Sequence, residues 1–184
     1  MSGETWAIFD TETTGLITND LRPLERQPRC IEFAGVLIRQ GDDGGWTEIG
    51  CIDTLIDPGC RIDPIISKVT GIQPRDLVGK PKWADIAQEV ADFFGKADGV
   101  AGHNSSFDKR IVAMEDRRIN RVTLWPEKTV CTVEASECAY GKRVKLGDLH
   151  ALLFGEPHGN AHRALDDVRA TARVFMEFKK RGEI

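Results

Sequence analysis

The sequence predicts an α/β domain whose sheet begins with a three-strand antiparallel meander and is flanked by helices. Three observations lead there. Trp6, Ala7, Ile8 and Phe9 form a buried-strand run. Two more strand-like runs follow, separated by the turn-forming stretch Gly41-Asp42-Asp43-Gly44-Gly45, and successive strands joined by short turns pair antiparallel. After them come apolar residues at helical spacing.

The first strand runs directly into Asp10-Thr11-Glu12-Thr13-Thr14-Gly15-Leu16. Side chains alternate faces along a strand, so Asp10 and Glu12 project together from its end. Two adjacent like charges repel, and a divalent cation between them relieves the strain. The alternative is a polar strand end with solvated or turn-capping carboxylates; the buried lead-in and the Thr-Thr-Gly exit weigh against it. A polar connection, Ile17 to Cys30, carries Pro23 and Pro28 as breakers. Ile31–Ile38 reads as the second strand and Trp46–Ile56 as the third, closed by Asp57-Pro58-Gly59. Asp63-Pro64 has the form of an N-cap with proline at the first helical position, and Gly71 stops that helix. Lys82–Phe94 repeats Trp83, Ile86, Ala87, Val90, Phe93 and Phe94 on a core face. Gly99–Gly102 is a short buried strand, and the helix after it, capped by Asn104 or Ser105, turns Phe107, Ile111 and Met114 inward. Thr129–Val133 is expected as a strand, followed by helices near Glu134–Tyr140, Leu146–Phe154 and Arg163–Lys180.

At 184 residues the chain suits one domain, 1–184, with no internal repeat or linker. Apolar and charged fractions of 41% and 29% argue against disorder. No apolar run reaches membrane-spanning length, and no basic-then-apolar signal segment opens the sequence, so a cytoplasmic protein without membrane association is expected. The five cysteines form no Cys-x-x-Cys pair, which argues against disulfides or zinc and for a reducing compartment. The formal net charge of −4 argues against a broad basic surface that coats nucleic acid. Two bound Mg²⁺ ions would cancel that charge, so a loaded site need not repel phosphate.

Two more polar clusters sit where a strand ends or a helix begins. His103-Asn104-Ser105-Ser106-Phe107-Asp108 places Asp108 in the first turn of a helix, where an acid is also favoured by the helix dipole alone. His162-Arg163-Ala164-Leu165-Asp166-Asp167 opens the last helix. Asp166 shares its face with Arg169, Arg173, Glu177 and Lys180, a solvated stripe. Asp167 lines up with Ala170, Thr171, Val174 and Phe178, beside the core stripe Leu165, Val168, Ala172 and Phe175. An acid on that inner flank needs a partner, so Asp167 is the site candidate. Five helical residues rotate by roughly 500°, so His162 must precede the helix, in the segment of Gly155, Pro157 and Gly159, to reach the same place.

Phe9-Asp10-x-Glu12-x-Thr14-Gly15, His103-Asn104-x-x-Phe107-Asp108 and His162-x-x-x-x-Asp167, in this order, resemble the three motifs of the DnaQ-like, or DEDDh, exonuclease family, related to proofreading epsilon subunits and RNase T. Val69-Thr70-Gly71-Ile72 and the Trp83 helix resemble that family's middle segment. The resemblance implies an RNase H-like fold with a mixed central sheet, which agrees with the meander. It also implies a two-metal 3′→5′ exonuclease using Mg²⁺ or Mn²⁺. Asp10 would bridge both ions, Glu12 and Asp167 would complete one site, Asp108 would support the second, and His162 would be the general base. A sister branch uses tyrosine four residues before the last aspartate; the one tyrosine, Tyr140, lies far upstream. Thr11, Thr13, Thr14, Gly15 and Leu16 would meet the 3′-terminal nucleotide, with Ile72, His103, Asn104 and Phe107 lining the same pocket, although Ile72 and Phe107 equally suit a core. The sequence departs from the family at Cys131-Thr132, where Asp-Thr is common, and in the slightly long Ile17–Cys30 connection. The expected partners are 3′ ends of single-stranded DNA or RNA. A polymerase or other replication or repair protein is an alternative partner; the end of the sequence at Ile184, just past the last helix, favours the free-standing enzyme.

Overall fold

A computed structural model describes residues 3–17, 19, 21–156 and 163–184 of the protein. Strands β1 (Thr5–Thr13), β2 (Cys30–Gln40), β3 (Trp46–Leu55), β4 (Gly99–Gly102) and β5 (Lys128–Cys131) form a sheet of order β3-β2-β1-β4-β5. The first three pair antiparallel as the turn signals predict, while β4 and β5 add in parallel, so the sheet is mixed.

The central strand β1 is covered on both sides, and its alternation sorts the core. Trp6 and Ile8 face helix α6 (Ala164–Arg181), packing with Val36, Val168, Ala172 and Phe175. Ala7 and Phe9 face the other way, onto helices α2 (Trp83–Phe94) and α3 (Ser105–Arg118), with Phe33, Phe93, Phe94 and Ile111. Two strand glycines make room for these rings. A Cβ on Gly99, the β4 partner of Trp6, would lie 2.7 Å from the Trp6 indole, and one on Gly35 would lie 2.6 Å from the Phe93 ring.

Helix α1 (Pro64–Thr70) begins where Asp63 accepts the Ile65 amide at 2.9 Å, and ends at Gly71 with a left-handed φ of 75°. Helices α4 (Thr132–Tyr140) and α5 (Leu146–Phe154) complete the set. Two expectations are corrected. The fifth strand ends at Cys131 instead of Val133, because its partner β4 ends at Gly102 and offers nothing further to pair with. The inner face of α3 is Ser105, Asp108, Ile111, Val112, Glu115 and Asp116; of the expected Phe107, Ile111 and Met114, Ile111 is fully buried and the other two are half-buried. The phase differs because two acids are held inside. Glu115 accepts the Cys30 amide at 2.9 Å and pairs with Arg118 at 3.1 Å, and Asp116 accepts the Trp83 indole N–H at 2.9 Å.

Candidate active site

The alternation along β1 also builds the site. Asp10 and Glu12 continue the face of Trp6 and Ile8 and therefore meet α6, whose first turn carries Asp167. Asp10, Glu12 and Asp167, all half-buried, each place a carboxylate oxygen within 4.8 Å of the others. Asp166 stands apart from this trio, near enough to Arg163 and Arg169 to favour their charged forms. Asp167, and not Asp166, joins the trio, although both are half-buried.

Asp108 reaches β1 from the opposite face. The β1–β4 pairing stops at Ile8 and Ala101, which leaves the Thr11 amide without a strand partner on that side. Asp108 Oδ1 fills the gap, accepting from the Thr11 amide at 3.1 Å and from its hydroxyl at 2.6 Å. It is 3% exposed and lies beside the trio instead of among it. His162 lies outside the described residues.

Crowding of buried acids shows in their protonation. Burial, then the charges of Asp108, Glu12, Asp167 and Glu32, push the Asp10 carboxyl well above the usual carboxylate range. Glu12 is pushed up to about 8 by burial and by Asp167, Glu32 and Asp108, with Arg163 opposing. Burial raises Asp108 to about 7 against the lowering effect of the Thr11 hydrogen bonds. Such a set is uncomfortable as free anions at neutral pH. Oxygen-only donors at this separation suit a hard divalent cation, which would reverse each of those shifts.

The turn after Glu12 is held from behind. The Thr14 amide donates to Arg29 O at 2.8 Å, the Arg29 amide donates to Thr14 Oγ1 at 2.9 Å, and the Thr13 hydroxyl donates to Gly15 O at 2.7 Å. Beyond this brace the turn is open. A Cβ on Gly15 would meet nothing within 4 Å, and Leu16 is 76% exposed. Two of the sequence-predicted nucleotide contacts, Thr11 and Ile72, are buried. The Thr11 side chain is buried and committed to Asp108. Ile72 is buried among Ile31, Ile62 and Leu77, because the chain after Gly71 turns inward to cover β2. Phe107 is half-buried against the α2–α3 core.

Past β4, Asn104 adopts a left-handed backbone with φ of 73°, and His103 Nδ1 lies 2.9 Å from Thr132 Oγ1. Together with Arg143, Val144, Lys145, Leu146 and Asp167 they line a groove of about 630 Å³. Sequence reasoning missed Thr132, Arg143 and Lys145 here. Thr132 was visible only as the residue after the departure at Cys131, and the two cations as an unremarkable basic loop. It also missed Glu32, which lies opposite Glu12 in the β1–β2 register. The apolar neighbours of Glu32 in Ile31–Ile38 were its one signal, since a carboxylate inside a buried strand needs a partner.

A mixed sheet with acids gathered at the end of its central strand is the architecture of an exonuclease domain. The exonuclease family model (RNase_T) matches residues 7–175, and the chain belongs to that family. It is 30% identical over 174 residues to the DNA polymerase III subunit epsilon of Treponema pallidum, covering 92% of this chain and 74% of that protein. It is 28% identical over 181 residues to the PolC-type DNA polymerase III of Clostridium perfringens, covering 97% of this chain but 11% of that much longer protein. The nuclease domain of 3′hExo, a DEDDh family member solved bound to rAMP, shares the fold with a TM-score of 0.78 at 17% identity, over 98% of this chain and 94% of that one. Family membership implies use of a divalent metal. Among the described residues no helix is long and apolar enough to cross a membrane.

Proposed function

We propose that the protein hydrolyses single-stranded DNA from its 3′ end by a two-metal mechanism, releasing 5′-mononucleotides one at a time. The observation that carries this is the convergence of Asp10, Glu12 and Asp167 within 4.8 Å. Mg²⁺ or Mn²⁺ held there would stabilise the attacking and leaving oxygens of an in-line displacement at phosphorus. Asp10 would be shared between the two ions, with Glu12 and Asp167 as further ligands of one and Asp108 supporting the other from across β1. His162 takes the proton of the attacking water, a role suited to a group whose ordinary pKa is about 6.5.

The open turn at Gly15 and Leu16 receives the terminal nucleotide, the backbone beside Thr13 and Thr14 meeting its sugar and Leu16 its base. The groove bounded by His103, Asn104, Arg143 and Lys145 carries the strand behind it, cationic side chains facing phosphates. DNA is the preferred substrate on the strength of relatives that are DNA polymerase III components. The same relatives support a second reading, in which the chain proofreads for a polymerase bound to another face.

The test uses DNA and RNA oligonucleotides labelled at either end, with Mg²⁺, Mn²⁺ or excess EDTA. Stepwise loss of mononucleotides from the 3′ end, abolished by EDTA, is expected, and so is a loss of roughly 10²-fold in turnover for His162→Ala. Cleavage starting at the 5′ end, or full activity in EDTA, overturns the reading.

A further inference from the structure

Glu32 presents a problem that the proposed chemistry does not use. It is 1% exposed, sits opposite Glu12 across the β1–β2 pair, and adds another negative charge to a crowded strand end. Like charges directly opposite each other on a sheet destabilise it, and Glu32 is not one of the three acids close enough together to share a cation. A buried carboxylate in that position is retained only if both its oxygens are occupied.

Both are occupied, and by one place in the chain. Oε1 accepts from Arg163 Nη2 at 3.0 Å and Nε at 3.3 Å, and Oε2 accepts from the Ala164 amide at 3.1 Å. Arg163 is the N-cap of α6 and Ala164 its first residue, and the Arg163 side chain makes no capping bond to its own helix. The helix is therefore capped from the neighbouring strand. One turn further on, the Asp167 amide donates to Arg163 O at 3.1 Å, so the residue that Glu32 grips is bonded to the residue that completes the acid trio. A two-pronged contact to guanidinium and backbone amide fixes both the height and the rotation of the helix end.

We infer that the Glu32–Arg163 pair is a positioning device that sets the N-terminal turn of α6, and with it the Asp167 carboxylate, against Asp10 and Glu12. The inference rests on the metal-site reading given above. Glu32 and Arg163 are positioning residues: neither touches the reacting atoms. The outer edge of Arg163 also lines a cavity of about 360 Å³ with Ile72, Asp76 and Lys80, which gives a competing role for Arg163 in gripping the strand.

The experiment compares Glu32→Gln, Arg163→Gln and the double variant with wild type. It reads kcat and KM on a single-stranded oligonucleotide, Mn²⁺ binding by calorimetry without substrate, and Tm. Each single variant is expected to lose about 10- to 100-fold in both kcat and Mn²⁺ affinity, the usual effect of disturbing a group that orients a metal ligand, with KM little changed. The double variant is expected to be no worse than the poorer single, because the two residues act as one unit. Wild-type kcat and Mn²⁺ affinity with a lowered Tm would reduce the pair to a structural tie and overturn the inference. Losses that multiply in the double variant would overturn it too, as would a KM effect confined to Arg163→Gln. Should Glu32→Gln fail to fold, Arg163→Gln, altered at a half-exposed side chain, supplies the same readouts. Should the wild type itself bind no Mn²⁺, the metal-site reading falls, and the pair is then judged by kcat and the double variant alone.

Discussion

Two groups of buried acids flank the same pair of strands, and the protein treats them in opposite ways. At the start of β2, Glu115 is met by Arg118 at 3.1 Å and by the Cys30 amide at 2.9 Å, while Arg118 also donates to the carbonyls of Leu24, Gln27 and Pro28 at 2.8–3.2 Å. That acid is part of a closed network that ties the long connection before β2 onto α3. At the end of β1, Asp10, Glu12, Asp108 and Asp167 gather, and Arg163, a cation acting on Glu12, is engaged by Glu32. The difference lies in charge: Glu115 faces a guanidinium, whereas the acids at the end of β1 face one another.

The largest expected contrast comes from deleting one acid of each group. Asp10→Ala should abolish turnover while leaving the unfolding free energy in urea unchanged or higher, since repulsion is removed. Glu115→Ala should leave the chemistry in place but lower stability by about 3–5 kcal/mol, the usual cost of stranding one member of a buried ion pair. An Asp10→Ala variant with more than a few per cent of wild-type rate would break the comparison. Next in size, Asp167→Asn should be severe and Asp166→Asn close to neutral; equal losses in the two would mean that the α6 phase does not decide function.

The pH dependence of stability should differ between metal-free and metal-loaded protein. Glu12 moves from 4.5 to about 8 and Asp108 from 3.8 to about 7 on folding. Acids raised in this way hold protons in the native state that the unfolded chain has released, so their contribution is fully present below about pH 4 and is lost as pH rises towards 8. The chelated protein should thus lose Tm steadily across that window, and Mg²⁺ should restore it most at the alkaline end. A metal-free Tm that stays level from pH 5 to pH 8 would contradict the crowding of these acids.

Much of this was legible in the sequence, for physical reasons that differ by element. Asp10 and Glu12 could be read because the period of a strand is two, and Asp167 because a long amphipathic helix shows its inner flank. The α3 face was misjudged because Glu115 and Asp116 are polar residues turned inward, and hydrophobic spacing is blind to an acid whose partner is distant in sequence. Ile72 fell on the core side for a similar reason: a motif position does not reveal which way a turn delivers it. The role of Glu32 depends on a contact with a residue 131 positions away, and no local pattern encodes that.

The composition of the acid trio also sets an order of events in time. Asp10 and Glu12 lie in a meander of sequence neighbours, β1 to β3, whose pairing closes far shorter loops than the docking of the helix that carries Asp167 back across almost the whole chain. Contacts across long sequence separations form late, because closing long loops carries an entropic cost. In pulse-labelled refolding, the β1–β3 amides should gain protection before those of α6; the reverse order would show that helix docking leads. A chain still being synthesised would then hold a folded sheet with half a catalytic centre, harmless to nucleic acid until its last helix arrives.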